Sequence, residues 1–387
     1  MPATRHRERT FPLLLCAAAF WLGTAAAGEA ASATPGVLLQ PYVDHHTLAG
    51  AVTLVATSAR VLSFETVGWA DLAAQAPMRG DTLFWIASMS KPLTATALMM
   101  LVDEGKVQLD DPVETYLPEF AGQQLEADAE HLQARAPAHA PTLRQMLNHT
   151  SGMPFLSATT HGKIDLGPLR EAVAIDARQA LKFEPGTRYQ YSNTGIDTVG
   201  RIIEVVSGLG YEDFMAQRLL APLGMRDTSC VPTAAQLLRL AKSYHANAAK
   251  SGLEELAINY LTYPLDARSR SPSPGGGFFS TASDLLAFAR MILDGGEAQG
   301  RRYLSASALT EMTSKQTGAL TAAYGLGWAV AAPGSFGHSG AYSTDLAIDQ
   351  PHGLITIFLV QHNGYGGSDG GAILPAFKAA ARAALPP

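Results

Sequence analysis

The chain has 387 residues, 47% of them hydrophobic and 16% charged, and a formal net charge of −6. That length buries a sizeable core and fits one large mixed domain or two closely joined lobes, which excludes a small stapled module. The acidic balance, with no Lys/Arg cluster past residue 27, argues against a nucleic-acid surface.

The first elements concern export. Arg5, Arg7 and Arg9 form a basic start. Residues 11–22 are apolar with little interruption except Pro12, and Ala25-Ala26-Ala27 offers a cleavage site, with Gly28-Glu29-Ala30 as a second choice. A cleaved signal peptide over 1–27 is expected, and with it a periplasmic or secreted location. An uncleaved N-terminal anchor is the alternative. Cleavage removes three Arg and one Glu, so the full-chain −6 becomes −8. Cys16 goes with the signal. Cys230 is then left as the single cysteine, which forbids a disulfide within the mature chain and reads as a small buried hydrophobe.

Residues 28–47 read as a tether and an opening helix. The apolar, β-branched runs 49–56 and 61–69, split by Thr57-Ser58-Ala59-Arg60, predict a hairpin. Residues 93–103 are apolar almost all round, which predicts a helix buried on every side and ended by Gly105. Residues 123–140, rich in Ala, Glu, Gln and His, read as an insertion whose His131 and His139 are solvated. Residues 196–207 have apolar positions at helical spacing and stop at Gly208, and 211–220 repeat the pattern. Thr281-Ala282-Ser283-Asp284 predicts a capping-box start for a helix through 293. The runs 346–348 and 354–360 flank Asp349-Gln350-Pro351-His352-Gly353 as a second hairpin, and 372–385 is an Ala-rich helix. Periodicity alone gives only mixed α and β, with no internal repeat.

Three short motifs carry the chemistry. In Phe84-Trp85-Ile86-Ala87-Ser88-Met89-Ser90-Lys91-Pro92 stands the chain's one Ser-x-x-Lys. Positions three apart share a helix face, so if Ser88 opens a helix the Lys91 amine reaches its hydroxyl. A base beside a serine is what makes it nucleophilic near neutral pH. Pro92 falls in the first turn, where its missing N–H is no loss. The blander reading of the motif is a helix cap with a solvated lysine. In Tyr189-Gln190-Tyr191-Ser192-Asn193 stands the one Tyr-x-Asn, and in a loop or extended stretch Tyr191 and Asn193 point into one cleft. In Phe336-Gly337-His338-Ser339-Gly340-Ala341-Tyr342, a His-Ser-Gly precedes the second hairpin.

The three motifs, in this order and at these separations, resemble the serine β-lactamase and penicillin-binding-protein superfamily. The chain is most similar to the branch that holds class C β-lactamases, D-alanyl-D-alanine carboxypeptidases, D-aminopeptidases and β-lactamase-like esterases. The resemblance runs from about Ala49 to Asn363 and includes Leu147-Asn148-His149-Thr150-Ser151-Gly152-Met153-Pro154, Ala221-Pro222-Leu223-Gly224-Met225 and Gly275-Gly276-Gly277-Phe278-Phe279-Ser280-Thr281. It implies an α+β fold: an antiparallel sheet from both termini packed by helices, with an all-helical lobe, roughly 105–275, inserted in a catalytic domain spanning 48–387.

On this reading Ser88 is the nucleophile, and Lys91 must be at least partly neutral to take its proton. Burial and a nearby positive group both favour that. Tyr191 is the other candidate base, and the two are treated as one coupled unit. The resemblance implies that the tyrosine also helps to protonate the leaving group and to activate the deacylating water. Asn193 donates to substrate or to Lys91. His338, Ser339 and Gly340 line the substrate, and the backbone N–H groups of Ser88 and Ala341 form the oxyanion hole. Gly340 fits that place because a missing side chain lets substrate approach the strand.

Two departures from class C enzymes bear on substrate. Those enzymes carry Lys where this chain has His338, and a short alignment puts Leu156 where they place a substrate-binding Gln. Both changes favour a neutral or apolar acyl substrate over a β-lactam. The expected function is an exported serine hydrolase of small esters or amides. The alternatives are a D-amino-acid peptidase or carboxypeptidase, a β-lactamase, and a non-catalytic sensor that is acylated and never released. Gly337-His338-Ser339-Gly340-Ala341 also brushes against the Gly-x-Ser-x-Gly elbow of α/β-hydrolases, but strands rather than a helix are expected to follow it. His45-His46 and the scattered histidines lack ligand spacing, and no Gly-x-Gly-x-x-Gly or phosphate loop follows a strand, so neither metal nor cofactor is expected. The partner is a small ester, amide or peptide. Oligomeric state is left open.

Overall fold

The computed structural model describes residues 34–127, 133–157 and 161–385. The expected signal segment, Cys16 and His131 lie outside the described residues.

The sheet is built from both ends of the chain. Strands Gly50–Ala56 (β1), Val61–Asp71 (β2) and Ala76–Pro77 (β3) come from the front. Strands Ala329–Ala332 (β4), Ser335–Ser339 (β5), Asp345–Asp349 (β6) and Leu354–Leu359 (β7) come from the back. They form one seven-stranded antiparallel sheet in the order β4-β5-β6-β7-β1-β2-β3. Its central seam joins the two ends, with Val52 opposite Leu359 and Leu54 opposite Ile357. Both hairpins expected from the sequence form here.

β1 is apolar without interruption because both of its faces are covered. Val52, Leu54 and Ala56 point into the large core, and Ala51 and Val55 into a smaller one. The smaller core is closed by Ile373, Phe377 and Ala381 of the C-terminal helix Ile373–Ala383, with Leu39 and Val43 from the start of the described chain. The large core holds the helices that matter for chemistry: Ser90–Asp103 (α1), Asn193–Ser207 (α2) and Ala282–Leu293 (α3). Every residue of α1 from Ser90 to Leu101 is buried, which explains its lack of a polar face.

Local differences from the sequence reading have local causes. α1 begins at Ser90, and Ser88 lies in a single 3₁₀ turn, Ala87–Met89, just before it. Asn193 is not extended; it is the first residue of α2, capped by the Ser192 side chain accepting from Gly195 N. Thr281 caps α3 by accepting from Asp284 N, but the expected reciprocal bond is replaced. Asp284 Oδ2 instead accepts from Asp227 N and Thr228 Oγ1, both at 2.8 Å. Residues 211–220 open as an α-helix, Tyr211–Met215, and loosen into a π turn, Ala216–Leu220. The stretch between the two halves of the sheet holds short helices and also a hairpin, Ser243–Ala246 with Leu253–Leu256. No helix among the described residues is long and apolar enough to cross a membrane.

Candidate active site

The Ser88 turn is held from below and from the side. Phe84–Trp85 pairs with Phe279–Ser280, Ile86 N donates to Phe278 O at 3.0 Å, and Trp85 Nε1 donates to Gly276 O at 2.8 Å. Ser90 Oγ donates to Ala87 O at 2.6 Å and accepts from Phe278 N at 3.1 Å. These contacts fix Ala87 at φ +46°, a left-handed conformation that costs a non-glycine residue about 1–3 kcal/mol. The strained residue immediately precedes Ser88, which is half-buried while both of its neighbours are buried.

Lys91 lies one turn on, fully buried. Its Nζ is 3.2 Å from Ser88 Oγ, 2.7 Å from Asn193 Oδ1 and 2.6 Å from Gly275 O. The two carbonyl oxygens can only accept. A neutral lysine amine has two N–H donors and one lone pair, so donating to both carbonyls leaves the lone pair for the Ser88 O–H. Protonated, the same amine donates to all three oxygens. One geometry therefore serves both states, as a base must. Lys91 Nζ also sits 4.6 Å from the centroid of the Tyr191 ring.

His338, on β5, is 7% exposed and stands between two phenols. Its Nδ1 is 2.8 Å from Ser339 O, a pure acceptor, so Nδ1 carries the hydrogen. Nε2 is 2.9 Å from Tyr324 Oη and 3.5 Å from Tyr191 Oη. Burial first, and the Lys91 charge second, push its pKa down to about 3, so the ring is neutral across the ordinary pH range.

His149 packs on the other side, with ring centroids 4.3 Å from Tyr191 and 4.6 Å from Tyr324. Its Nδ1 accepts from Ser192 N at 3.2 Å and its carbonyl from Gln190 N at 2.9 Å, so it grips the segment that carries Tyr191. Burial, then Lys91 and His338, hold it far below the usual imidazole range.

The third motif meets the first at Gly340. A Cβ there would lie 2.1 Å from Thr344 Oγ1 and 2.6 Å from Ile86 O, so only glycine lets the end of β5 approach the Ser88 turn. Ala341, the next residue, is exposed. Ser339 is also exposed, and its hydroxyl donates to Asp345 Oδ1 at 2.9 Å. It is followed by β6 rather than by a helix, so the α/β-hydrolase elbow does not form here.

Ser88, Lys91, Tyr191, Asn193 and His338 thus converge. His149, Tyr324, Gly275 and Asp197 were not singled out in the sequence. His149 and Gly275 lie within family-like runs, while Tyr324 and Asp197 left no local signal. Beside Asn193 lies a small cleft, lined about equally by apolar side chains such as Leu156, Ile164 and Leu166 and by polar ones such as Lys163, Asp176 and Asp197. Phe155, 45% exposed, stands at 6.2 Å between ring centroids from Tyr191.

A family model described as Beta-lactamase matches residues 38–381. The chain belongs to the β-lactamase family. It is 36% identical over 275 residues to penicillin-binding protein 4 of Amycolatopsis lactamdurans, covering 67% of this chain and 66% of that one. It is 32% identical over 263 residues to the esterase EstB of Burkholderia gladioli, covering 62% and 64%. Among solved structures it matches EstCE1, described as a hydrolase with promiscuous acyltransferase activity. That match has a TM-score of 0.74 at 23% identity, covering 88% of this chain and 96% of that one, and it shows the shared fold.

Proposed function

We propose that the chain is an exported serine hydrolase that forms an acyl-enzyme on Ser88 and hydrolyses small neutral esters, with amides second. The observation that carries this reading is the lysine geometry: two carbonyls hold the buried Lys91 Nζ within 3.2 Å of Ser88 Oγ. Ser88 attacks the acyl carbon and the Lys91–Tyr191 unit takes its proton. The backbone N–H groups of Ser88 and Ala341 steady the oxyanion. The unit returns the proton to the leaving alkoxide, and water then releases the acyl group. Preference for a neutral substrate is supported by an uncharged His338, by the exposed Phe155 ring beside Tyr191, and by likeness to an esterase. A D-amino-acid peptidase is the second reading, favoured by likeness to a penicillin-binding protein. Export rests on the basic-apolar-small pattern of residues 1–27, ahead of the tether at 28–47 and the catalytic domain at 48–387.

The test is covalent labelling with a fluorophosphonate, followed by a panel of p-nitrophenyl esters, nitrocefin and D-Ala-D-Ala peptides. The label should map to Ser88, and turnover should be steady on short esters. Label on Ser339, or a burst with no steady state on every substrate, overturns the reading.

A further inference from the structure

His338 Nε2 has one lone pair and two phenols within reach. Nδ1 donates to Ser339 O, and the ring is neutral, so Nε2 can accept one hydrogen bond and donate none. Tyr324 Oη, at 2.9 Å, is within normal hydrogen-bond distance, and Tyr191 Oη, at 3.5 Å, is at its limit. Tyr324 is 4% exposed, and burial raises its pKa far above the usual phenol range, so it keeps the hydrogen it donates.

The backbone that delivers Tyr324 is pinned to the nucleophile helix. Gln316 N donates to Tyr324 O at 2.8 Å, and Gly327 N donates to Leu147 O at 3.0 Å. Gly327 has φ +74°, and a Cβ there would lie 2.9 Å from Lys91 O, so this turn rests directly on the backbone of Lys91. The Tyr324 hydroxyl is thereby placed in advance by the same helix that carries the proposed base.

We propose that Tyr324 is a positioning residue for Tyr191: by donating to His338 Nε2 it fills the one free lone pair of the imidazole and leaves the Tyr191 hydroxyl to the Ser88–Lys91 pair. This rests on the serine-hydrolase reading above. Without the Tyr324 hydroxyl, Nε2 is open and Tyr191 Oη closes the gap to donate to it. A bond that uses the phenol's own hydrogen favours the protonated form and raises its pKa. The Lys91–Tyr191 unit then loses its proton at higher pH.

The titratable groups that face Tyr191 are Lys91 from α1, His149 from the loop after the helix Leu143–Leu147, and Tyr324 and His338 from the C-terminal half. Both histidines stay neutral throughout. Asp197, which bonds Gly275 N behind Lys91, is present in every variant compared, so its titration cancels.

The experiment measures kcat and KM for p-nitrophenyl butyrate from pH 6 to 10 in the full chain, Tyr324→Phe, His338→Leu and the double variant. Rates are taken per Ser88 labelled by fluorophosphonate, which counts only folded sites. Tyr324→Phe should move the rising limb of kcat up by about 0.5–1 pH unit, the size of a lost or gained hydrogen bond to one protonation state. It should lower kcat at pH 7 by about 3- to 10-fold with KM little changed. In the His338→Leu background, adding Tyr324→Phe should leave the limb where it was. An unmoved limb in the single variant overturns the proposal, and so does an equal shift in both backgrounds. Labelled-histidine NMR of the parent chain tests the same geometry with no variant: an Nε2–H tautomer at His338 overturns it. If Ser88 takes no label, the serine-hydrolase reading falls and this proposal falls with it. If Ser88 labels and the limb stays fixed, only the role of Tyr324 is lost.

Discussion

Asn193 and Asp197 stand one turn apart on α2 and hold Lys91 by two routes. Asn193 Oδ1 touches Lys91 Nζ directly at 2.7 Å. Asp197 Oδ1 accepts from Gly275 N at 2.9 Å, and Gly275 O in turn accepts from Lys91 Nζ at 2.6 Å. Positions i and i+4 share a helix face, so one face of α2 supplies both supports. A lysine held this way has little freedom to leave Ser88.

Lys91→Met tests the base. It removes the amine and leaves Asn193 Oδ1 and Gly275 O buried without that donor. Loss of a positioned base typically lowers kcat by ~10²–10⁴. The orphaned acceptors should cost about 1–3 kcal/mol of stability. Steady-state kinetics and a urea melt read the two effects separately. Lys91→Arg should be equally inactive, because a guanidinium keeps its proton. Ester turnover near the parent rate in either variant would remove Lys91 from the mechanism.

Asp176 and Asp197 set a pH dependence of stability. Burial raises their pKa values from the ordinary 3.8 to about 6 and about 7. The folded state then binds more protons than the unfolded state between about pH 4 and pH 7, so stability falls as pH rises through that window and levels off above it. Asp176→Asn and Asp197→Asn should each flatten the fall, by an order of ~1–3 kcal/mol between pH 4 and pH 8. The measurement is the difference in melting temperature between variant and parent across pH 4–8. A parallel pair of curves would mean that these carboxyls ionise as they do in water.

Much of this fold was legible because its signals are local. The apolar runs of β1 and β7, the stop at Gly208 and the all-apolar α1 each reflect burial or backbone geometry within a few residues. The three-residue spacing of Ser88 and Lys91 marks a shared helix face, whereas the grouping of these two with Tyr191 and Asn193 rested on the resemblance of the ordered motifs to the family. Tyr324 and Asp197 were not legible. Tyr324 reaches His338 across 14 positions and Asp197 reaches Gly275 across 78, and no period or cap marks such contacts. The sequence places Asn193 in a loop or extended stretch because the capping power of Ser192 shows only once Gly195 N is placed against it. The missed half of the α3 capping box has the same origin: Asp227 and Thr228, more than fifty residues away, compete for Asp284.

Gly340→Ala tests the meeting of β5 with the Ser88 turn. The added Cβ would fall 2.6 Å from the backbone oxygen of Ile86, which cannot rotate away. The strand end must back off, carrying Ala341 with it. Overpacking of this kind costs about 1–3 kcal/mol. Displacing one oxyanion donor costs ~10²–10³ in kcat. Fluorophosphonate labelling should slow in step with kcat, since both form a tetrahedral centre at Ser88. Unchanged kcat with lowered stability would place the oxyanion donors elsewhere.

His338→Lys tests substrate charge. The imidazole is neutral and shares its surroundings with Tyr324 and Tyr191, so the parent enzyme offers a carboxylate no cation from this position. A lysine there brings a donor that can bind the carboxylate of a β-lactam, and a charge-assisted hydrogen bond is worth about 1.5–3 kcal/mol. Part of that is lost because the ammonium enters a buried site next to Lys91, and like charges oppose each other. The expected net is ~1–2 kcal/mol in favour of nitrocefin, or about 5- to 30-fold in the ratio of kcat/KM for nitrocefin to that for p-nitrophenyl butyrate. Both activities should fall, because the new amine also disturbs Tyr324 and Tyr191, so the ratio and not the rate is decisive. The parent should hydrolyse p-nitrophenyl butyrate faster than nitrocefin. A parent that prefers nitrocefin by a wide margin would sink the ester reading and leave β-lactamase as the leading function, with Ser88 and Lys91 in the same roles.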